Sequence, residues 1–332
     1  MKEQPRFSVV IPLYNKRPYI RRTVDSVLAQ TFQDFELVVV DDGSTDGSAE
    51  VLASIEDSRL KVVRQANQGE GAARNTGMAH AYGVWLALLD ADDSWLPHHL
   101  AELAHIADNY PQSGMISCAF REVVSANIPP VLDGVVGIDT IRQVNYFEEA
   151  ARNKGFINAS SVAIRRDVAQ AVGGFSGKKA GADIEYWVKV ALQFPVAVSI
   201  RVTSLYFRDT GGVMQQLTDA SKDQPEPQPC SLREFSTGVA LLLERADEDP
   251  ALLHRPDIQR YINGMLIVGI RMCLYQGHFS TARHYAGLLL KPLIAKELAY
   301  QVLAVLPMTV LRVMRNLALH RGIRKIRLNR RA

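Results

Sequence analysis

Four short apolar runs separated by helical patterns set the architecture open to this chain. Phe7 to Ile11, Phe35 to Val40, Leu60 to Arg64 and Trp85 to Leu89 are rich in β-branched residues or leucine and read as strands. Between the first two, Ile20, Val24, Val27 and Leu28 fall on one face of a helix over Tyr19 to Gln30. A Gly/Ser/Thr/Asp turn and a helical stretch from Ala49 to Ile55 follow the second, and QGEGAARNTG at 68–77 reads as a glycine loop opening a helix before the fourth. Strands alternating with helices predict an α/β fold with a mostly parallel sheet, whose ligand site lies beyond the carboxyl ends of the strands. Two of those ends carry carboxylates, VVVDDGSTDGS at 38–48 and LLDADDSW at 88–95. Carboxylates at the ends of buried strands are costly unless they bind something. The pattern points to a metal and a phosphorylated ligand.

The remainder of the chain divides in two. A helix is expected over Pro97 to Asn109, a strand over Met115 to Phe120, and a loop or insertion over 121–154. GFINASSVAIRRDVAQAVGGF at 155–175 reads as strand, helix and glycine turn, followed by a helix at 182–194 and a short strand from Val196 to Ile200. TDASKDQPEPQPCS at 218–231 has the prolines and polar residues of a linker. The helical segments Leu232 to Ala246, Asp257 to Gln276, Ser280 to Leu290 and Leu293 to His320 follow. The expected organisation is a domain at 1–217, a linker at 218–231 and a helical C-terminal region at 232–332. With 332 residues, 47% apolar and 22% charged, the chain can fill a sizeable core, which excludes disorder as its default. Its net charge of +3 conceals an asymmetry, because residues 230–332 hold 16 Lys and Arg against 7 Asp and Glu. Three widely spaced cysteines, Cys118, Cys230 and Cys273, suggest neither a zinc site nor a disulfide framework and fit a reducing compartment.

The order SVVIPLYNK, DFELVVVDDGSTDGS, NQGEGAARNTG, LLDADDSWLP, ASSVAIRR, GGF and GADIEYWVKVA resembles the family 2 glycosyltransferases of GT-A fold over roughly residues 7–212. The resemblance implies a Rossmann-like sheet flanked by helices and transfer of a sugar from a nucleotide-diphospho-sugar. It makes Asp92 the ligand of Mn²⁺ or Mg²⁺, and Asp90 a contact to the ribose or, through water, to the metal. Hard carboxylate oxygens suit either ion while a diphosphate supplies further ligands. Asp93 either assists or caps the following turn. Asp42, with Asp41 beside it, matches the family aspartate that bonds the base; a carboxylate accepts from the N3–H of uracil, which favours UDP. Pro12 and Tyr14 form the other wall of the base pocket, and Arg74 is the main cationic candidate for the diphosphate. Asp183 matches the general base that takes the acceptor proton. The glutamate expected before it is Ala182, and Glu185 is the fallback. Where relatives carry a histidine after an arginine, this chain has Arg208 and Asp209, a diphosphate contact and a substitute metal ligand respectively. His98 and His99 read as exposed residues of a helix's first turn.

The apolar stretch 298–311 is too short to span a bilayer, and 312–332 contain eight Lys or Arg and no acid. This tail reads either as a peripheral contact to an anionic membrane or as a core-packed helix with a basic end. The first suits a lipid-linked glycan acceptor and a place on the inner face of the cell membrane. The N-terminus lacks the long apolar segment of a signal peptide, so the chain is expected in the cytoplasm. Nucleic acid is not an expected partner, because no aromatic residues interleave with the basic ones. Two alternatives stand beside an inverting transferase that makes surface polysaccharide or glycolipid: a catalytically silent nucleotide-binding scaffold at the membrane, and a nucleotidyltransferase, which would need a glycine-rich loop where IPLYNKRPY has none.

Overall fold

The computed structural model describes residues 4–124, 140–153, 155–178, 180–210, 231, 236–291 and 300. The expected linker at 218–231, apart from Ser231, and residues 301–332 of the tail lie outside the described residues. The chain divides into two compact units, Met1–Tyr146 with Gly155–Asp219, and Phe147–Lys154 with Ala220–Ala332.

The first unit is built on a nine-stranded sheet. Strands β1 (Phe7–Leu13), β2 (Phe35–Asp41), β3 (Leu60–Arg64) and β4 (Trp85–Leu88) run parallel, joined by helices α1 (Arg17–Leu28), α2 (Ser48–Ala53) and α3 (Glu70–His80). Every residue of β1 is buried, as the central strand of a sheet covered on both faces requires. Phe7, Val9, Ile11 and Leu13 share a core with Ile20, Val24 and Val27 of α1 and with α4 (His99–Asn109). Val10 points the other way, to α3, where a Cβ on Gly77 would meet Val10 Cγ1 at 2.4 Å. A side chain there would hold α3 off the sheet.

β5 (Ser94–Trp95), β6 (Met115–Val123), β7 (Ile141–Val144), β8 (Val162–Arg165) and β9 (Val196–Phe207) complete the sheet. Its order is β3-β2-β1-β4-β8-β6-β9-β5, with β7 also on β9. β8, β5 and β7 run antiparallel to their neighbours β4, β6 and β9, so six of the nine strands share one direction. After β3 the chain crosses back over β1 to form β4. The carboxyl ends of β1 and β4 therefore flank the point where strand order reverses, the place where open α/β sheets bind ligands. Helix α5 (Tyr146–Arg152) lies between β7 and β8 in the chain, and α6 (Arg166–Val172) and α7 (Ala182–Ala191) lie between β8 and β9.

The second unit contains α8 (Thr237–Glu248), α9 (Pro256–Gln276) and α10 (Phe279–Gly287), all close to the expected helical spans. Tyr261, Ile262, Leu266 and Ile270 of α9 are fully buried. Asn263 exchanges hydrogen bonds with the Leu290 backbone at 2.9 and 2.8 Å. Residues 147–153 pack with this unit: the Phe147 ring meets Tyr261 edge-on at 5.6 Å, and Glu148 accepts from Arg260 Nη1 at 2.5 Å. Among the described residues no helix is long and apolar enough to cross a membrane.

Candidate functional site

The loops leaving β1, β2 and β4 and the starts of α3 and α7 all belong to the first unit and carry the site. β1 ends at Leu13, in register with Asp41 of β2, and Asp41 is in register with Arg64 of β3. Asn15 then adopts a left-handed backbone, φ 51°, which asparagine tolerates better than most residues. Its side-chain oxygen accepts the N–H of Thr45 at 2.9 Å and its own N–H donates to Ser44 Oγ at 3.1 Å, tying the loops after β1 and β2 together. Pro12 is buried within β1, and Tyr14 is 49% exposed.

The two adjacent aspartates do different things. Asp42 is buried and fully engaged: Oδ1 accepts from Gln65 Nε2 at 2.7 Å and the Gln68 N–H at 2.9 Å, and Oδ2 accepts the Gly69 N–H at 2.8 Å. It pins the glycine loop that opens α3. Asp41 Oδ1 accepts the Ser44 N–H, whereas its buried Oδ2 has no hydrogen-bond donor among the described residues and faces Arg64 Nε at 3.4 Å.

The DADD loop is held just as firmly. The N–H of Asp90 bonds Ser160 Oγ at 3.1 Å, and its Oδ1 accepts from Arg74 Nη2 at 2.6 Å. Burial pushes the Asp90 carboxyl up to about 6, with Glu70 and Asp92 adding to the rise and Arg74 opposing it. Asp92 Oδ2 pairs with Lys16 Nζ at 2.5 Å, and the Asp92 carbonyl accepts from Arg22 Nη2 at 2.6 Å. The Arg22 guanidinium lies 3.6 Å from the Phe207 ring centroid. Asp93 is fully buried; it accepts the Phe207 N–H at 2.9 Å and the Ser160 hydroxyl, so it fixes the loop to the end of β9. Burial drives its carboxyl well above the ordinary range, reinforced by the charge on Asp90.

Arg74 is the junction of the site. Its buried guanidinium meets Asp90 and Glu70 and lies 5.4 Å from the Phe175 ring. Burial opposes its charge, but Asp90, Glu70 and Asp183 together raise its affinity for the proton. The turn before α7 is built onto α3: Asn75 Nδ2 donates to the Phe175 carbonyl at 2.9 Å and Asn75 Oδ1 accepts the Phe175 N–H at 2.8 Å. Phe175 then stacks on Tyr186 of α7, 4.1 Å between centroids. This packing sets the first turn of α7, where Asp183 stands half-buried after the buried Ala182.

Of the other expected residues, Glu185 and Arg208 separate from this group, whereas Asp209 lies close enough to add its charge to those of Asp92 and Asp93 around Arg22. Glu185 is buried and takes Lys178 at 2.8 Å, Ser176 at 3.0 Å and Lys189 at 3.3 Å. Burial would raise its carboxyl, but those donors hold it below the usual range. Its role is to brace the turn before α7, which leaves it badly suited to act as a fallback base. Arg208 pairs with Glu122 at 2.9 Å on the surface, and Asp209 is exposed. The expectation that His98 and His99 are exposed is corrected. His98 is half-buried and lies 3.3 Å from Thr31 Oγ1. His99 is fully buried, stacked on Trp95 and 2.7 Å from Thr203 Oγ1, because α4 begins there and turns it onto the sheet. Lys16, Arg22 and Ser160 were not singled out in the sequence.

Among the described residues, no three His, Cys, Asp or Glu side chains converge on a common point that could hold a metal ion. Asp90 and Asp92 are hard oxygen donors of the kind Mg²⁺ and Mn²⁺ use when phosphate oxygens and water complete the shell. Among the described residues the surroundings suit a cation, since Asp90, Asp92, Asp93, Asp209, Glu70 and Asp183 gather around Lys16, Arg22 and Arg74.

The family model described as glycosyl transferase family 2 matches residues 8–171. An uncharacterised glycosyltransferase of Nostoc is 46% identical over 104 residues, 30% of this chain and 32% of that protein. The succinoglycan biosynthesis protein ExoW of Rhizobium meliloti is 46% identical over 101 residues, 29% of this chain and 32% of its own length. The matched region thus spans about a third of either relative. Among solved structures, S. aureus TarS 1-349 in complex with UDP-GlcNAc superposes with a TM-score of 0.64 at 20% identity, covering 86% of this chain and 82% of that one. The mannosyltransferase PcManGT from Pyrobaculum calidifontis, in complex with GDP-Man and Mn²⁺, gives 0.50 at 20% identity and covers 86% of each chain. Both share the fold described above.

Proposed function

Because residues 8–171 of this chain belong to glycosyl transferase family 2, we propose that it is an inverting transferase that moves a sugar from a nucleotide-diphospho-sugar, preferentially a UDP-sugar, to a hydroxyl of a glycan or lipid-linked acceptor. The observation that carries this reading is the buried Arg74, bonded to Asp90 and within the field of Asp183. One guanidinium thereby links the donor-side carboxylates to the acceptor-side one. TarS, with UDP-GlcNAc bound, supports a uridine donor, and PcManGT, with Mn²⁺, supports a divalent cation.

On this reading Pro12, Tyr14 and the Asp41–Asp42 pair border the base, and Asp90 meets the ribose. A divalent cation held at Asp92, when bound, neutralises charge that grows on the departing diphosphate. Arg74 adds a fixed cation that needs no rearrangement during reaction. Asp183 accepts the proton of the acceptor hydroxyl while that oxygen forms a bond to the anomeric carbon. The bond from that carbon to the diphosphate breaks in the same step, and its electron pair leaves with the nucleotide. Configuration inverts and no covalent glycosyl-enzyme forms. Residues 1–217 would be the catalytic domain and 232–332 a helical region whose basic end, outside the described residues, rests on the cytoplasmic face of an anionic membrane. The product would belong to a surface polysaccharide or glycolipid, in keeping with the succinoglycan relative.

Thermal stabilisation by UDP, GDP and dTDP, with and without Mn²⁺, tests donor choice, since a ligand of the native state raises its stability. Stabilisation by UDP that requires Mn²⁺ and vanishes in Asp92→Ala is expected. Asp183→Asn should keep that stabilisation and lose transfer; normal transfer by this variant would exclude Asp183 as the base. Nucleotide binding without turnover of any donor by the wild type would favour the silent scaffold.

A further inference from the structure

Lys16 sits on the carboxylate to which the proposed function assigns a divalent cation, and the inference below rests on that assignment. Its ammonium is 2.5 Å from Asp92 Oδ2 and 3.3 Å from the Thr210 carbonyl oxygen, with the two side chains only 20% and 15% exposed. An ammonium at that distance already neutralises the carboxylate charge that would attract a metal ion, and like charges so close repel strongly in a partly buried setting. That repulsion disfavours a divalent cation on Asp92 while the Lys16 ammonium stays on Oδ2.

The surrounding geometry decides which partner moves. The Asp92 carbonyl is clamped by Arg22, whose guanidinium is itself seated on the Phe207 ring. The Lys16 backbone is equally fixed, with its N–H on Ser48 Oγ at 3.1 Å and its carbonyl accepting the N–H groups of Tyr19 and Ile20, each at 2.9 Å. The one loose part is the four-carbon Lys16 stem, which can carry its charge to another position. Apart from Asp92, the ammonium contacts a neutral carbonyl and lies 5.8 Å from the Tyr19 ring, and neither replaces a carboxylate. A diphosphate entering beside Asp92 would.

We infer that Lys16 is an exchangeable counter-ion that makes binding of a divalent cation and of a nucleoside diphosphate cooperative. A cation arriving alone must break the Lys16–Asp92 pair and strand an ammonium. When a diphosphate is present, its oxygens re-pair the released ammonium and leave Asp92 to the cation. The coupling is reciprocal, so each ligand tightens the other by the same factor.

The test measures Mn²⁺ affinity directly, from the electron paramagnetic resonance signal of free Mn²⁺, with and without UDP, in wild type, Lys16→Met, Lys16→Arg and Lys16→Met/Asp92→Asn. Wild type should bind Mn²⁺ at least about tenfold more tightly with UDP present, within the range typical of coupled sites. Lys16→Met should bind Mn²⁺ alone about tenfold more tightly than wild type and lose most of the UDP effect. Lys16→Arg keeps a cation on Asp92 and should keep the weak binding of Mn²⁺ alone. Unchanged Mn²⁺ affinity and unchanged coupling in Lys16→Met would overturn the counter-ion role while leaving the metal assignment standing. Failure of wild type to bind Mn²⁺ even with UDP would overturn the metal assignment and the inference with it. Tight Mn²⁺ binding that survives in the double variant would locate the ion away from Asp92 and overturn both.

Discussion

Asp42 shows how a single carboxylate can be recruited by its own chain. Three donors, from Gln65, Gln68 and Gly69, converge on it and hold the loop that starts α3. Asp42→Ala would leave part-buried N–H groups without acceptors, a loss of about 1–3 kcal/mol. Urea unfolding should register a loss of that size even without nucleotide; unchanged stability with weakened UDP binding would instead make Asp42 a pure base contact. His99 makes a second residue-scale prediction. Burial holds its imidazole down to about 3, from an ordinary value near 6.5. Between these values the unfolded chain binds a proton that the folded chain refuses. Stability is therefore complete above about pH 6.5 and falls as the pH drops, by about 1.4 kcal/mol per unit. His99→Gln, which can still bond Thr203, should flatten that slope; parallel stability curves for variant and wild type from pH 7 to 4.5 would contradict it. Asp90, Asp92 and Arg74 were legible in the sequence because each stands at the end of a strand or the start of a helix whose period is plain. Lys16 and Arg22 were not, because their partner Asp92 lies 76 and 70 residues away. Nothing local in LYNKRPYIRR reports that meeting.

Among the elements, α3 organises both sides of the site. Its second turn carries Arg74 toward Asp90, and Asn75 grips Phe175 in the turn before α7. The fit is close at Gly71, where an added Cβ would lie 2.7 Å from the Ser176 carbonyl oxygen. Ser176 in turn donates to Glu185 of α7 at 3.0 Å. Gly71→Ala should push this turn outward, cost about 1–3 kcal/mol as overpacked contacts do, and displace Asp183. Transfer should fall more than UDP affinity does; an equal fall in both would mean that the turn does not position the base. The same packing explains which elements the sequence disclosed. β1 and β2 are nearly continuous apolar runs, so they were plain. β9 extends seven residues beyond the expected Ile200 because its later polar residues are satisfied inside the fold: Thr203 meets His99, and Ser204 donates to the Ser160 carbonyl at 2.8 Å. A strand that buries hydroxyls lacks the alternation by which strands are read. β5, only two residues long, has no period at all.

Across the whole molecule, the acidic loops gather at one edge of the first unit's sheet, while the basic excess belongs to residues 230–332. The parallel half of the sheet fixes that edge: β1, β2 and β4 all point their carboxyl ends to it, and the reversal of order between β2 and β4 about β1 opens the crevice there. This much followed from the spacing of strands and helices between Phe7 and Leu89. The second half of the sheet did not, because its order interleaves β8 between β4 and β6, a pairing between strands far apart in sequence. A ligand at the switch point should act on a restricted set of amides. With saturating UDP and Mn²⁺, hydrogen exchange should slow in the loops after β1, β2 and β4 and in the first turns of α3 and α7, since binding to the native state suppresses the local openings that expose them. At about one hundred times the dissociation constant the stabilisation is about 2.7 kcal/mol, enough to slow exchange through openings that release the ligand about a hundredfold. The helices α9 and α10, with a core of their own in the second unit, should exchange at unchanged rates. Protection concentrated in those helices would move the nucleotide site out of the sheet crevice and remove Asp41, Asp42, Asp90 and Asp92 from it together.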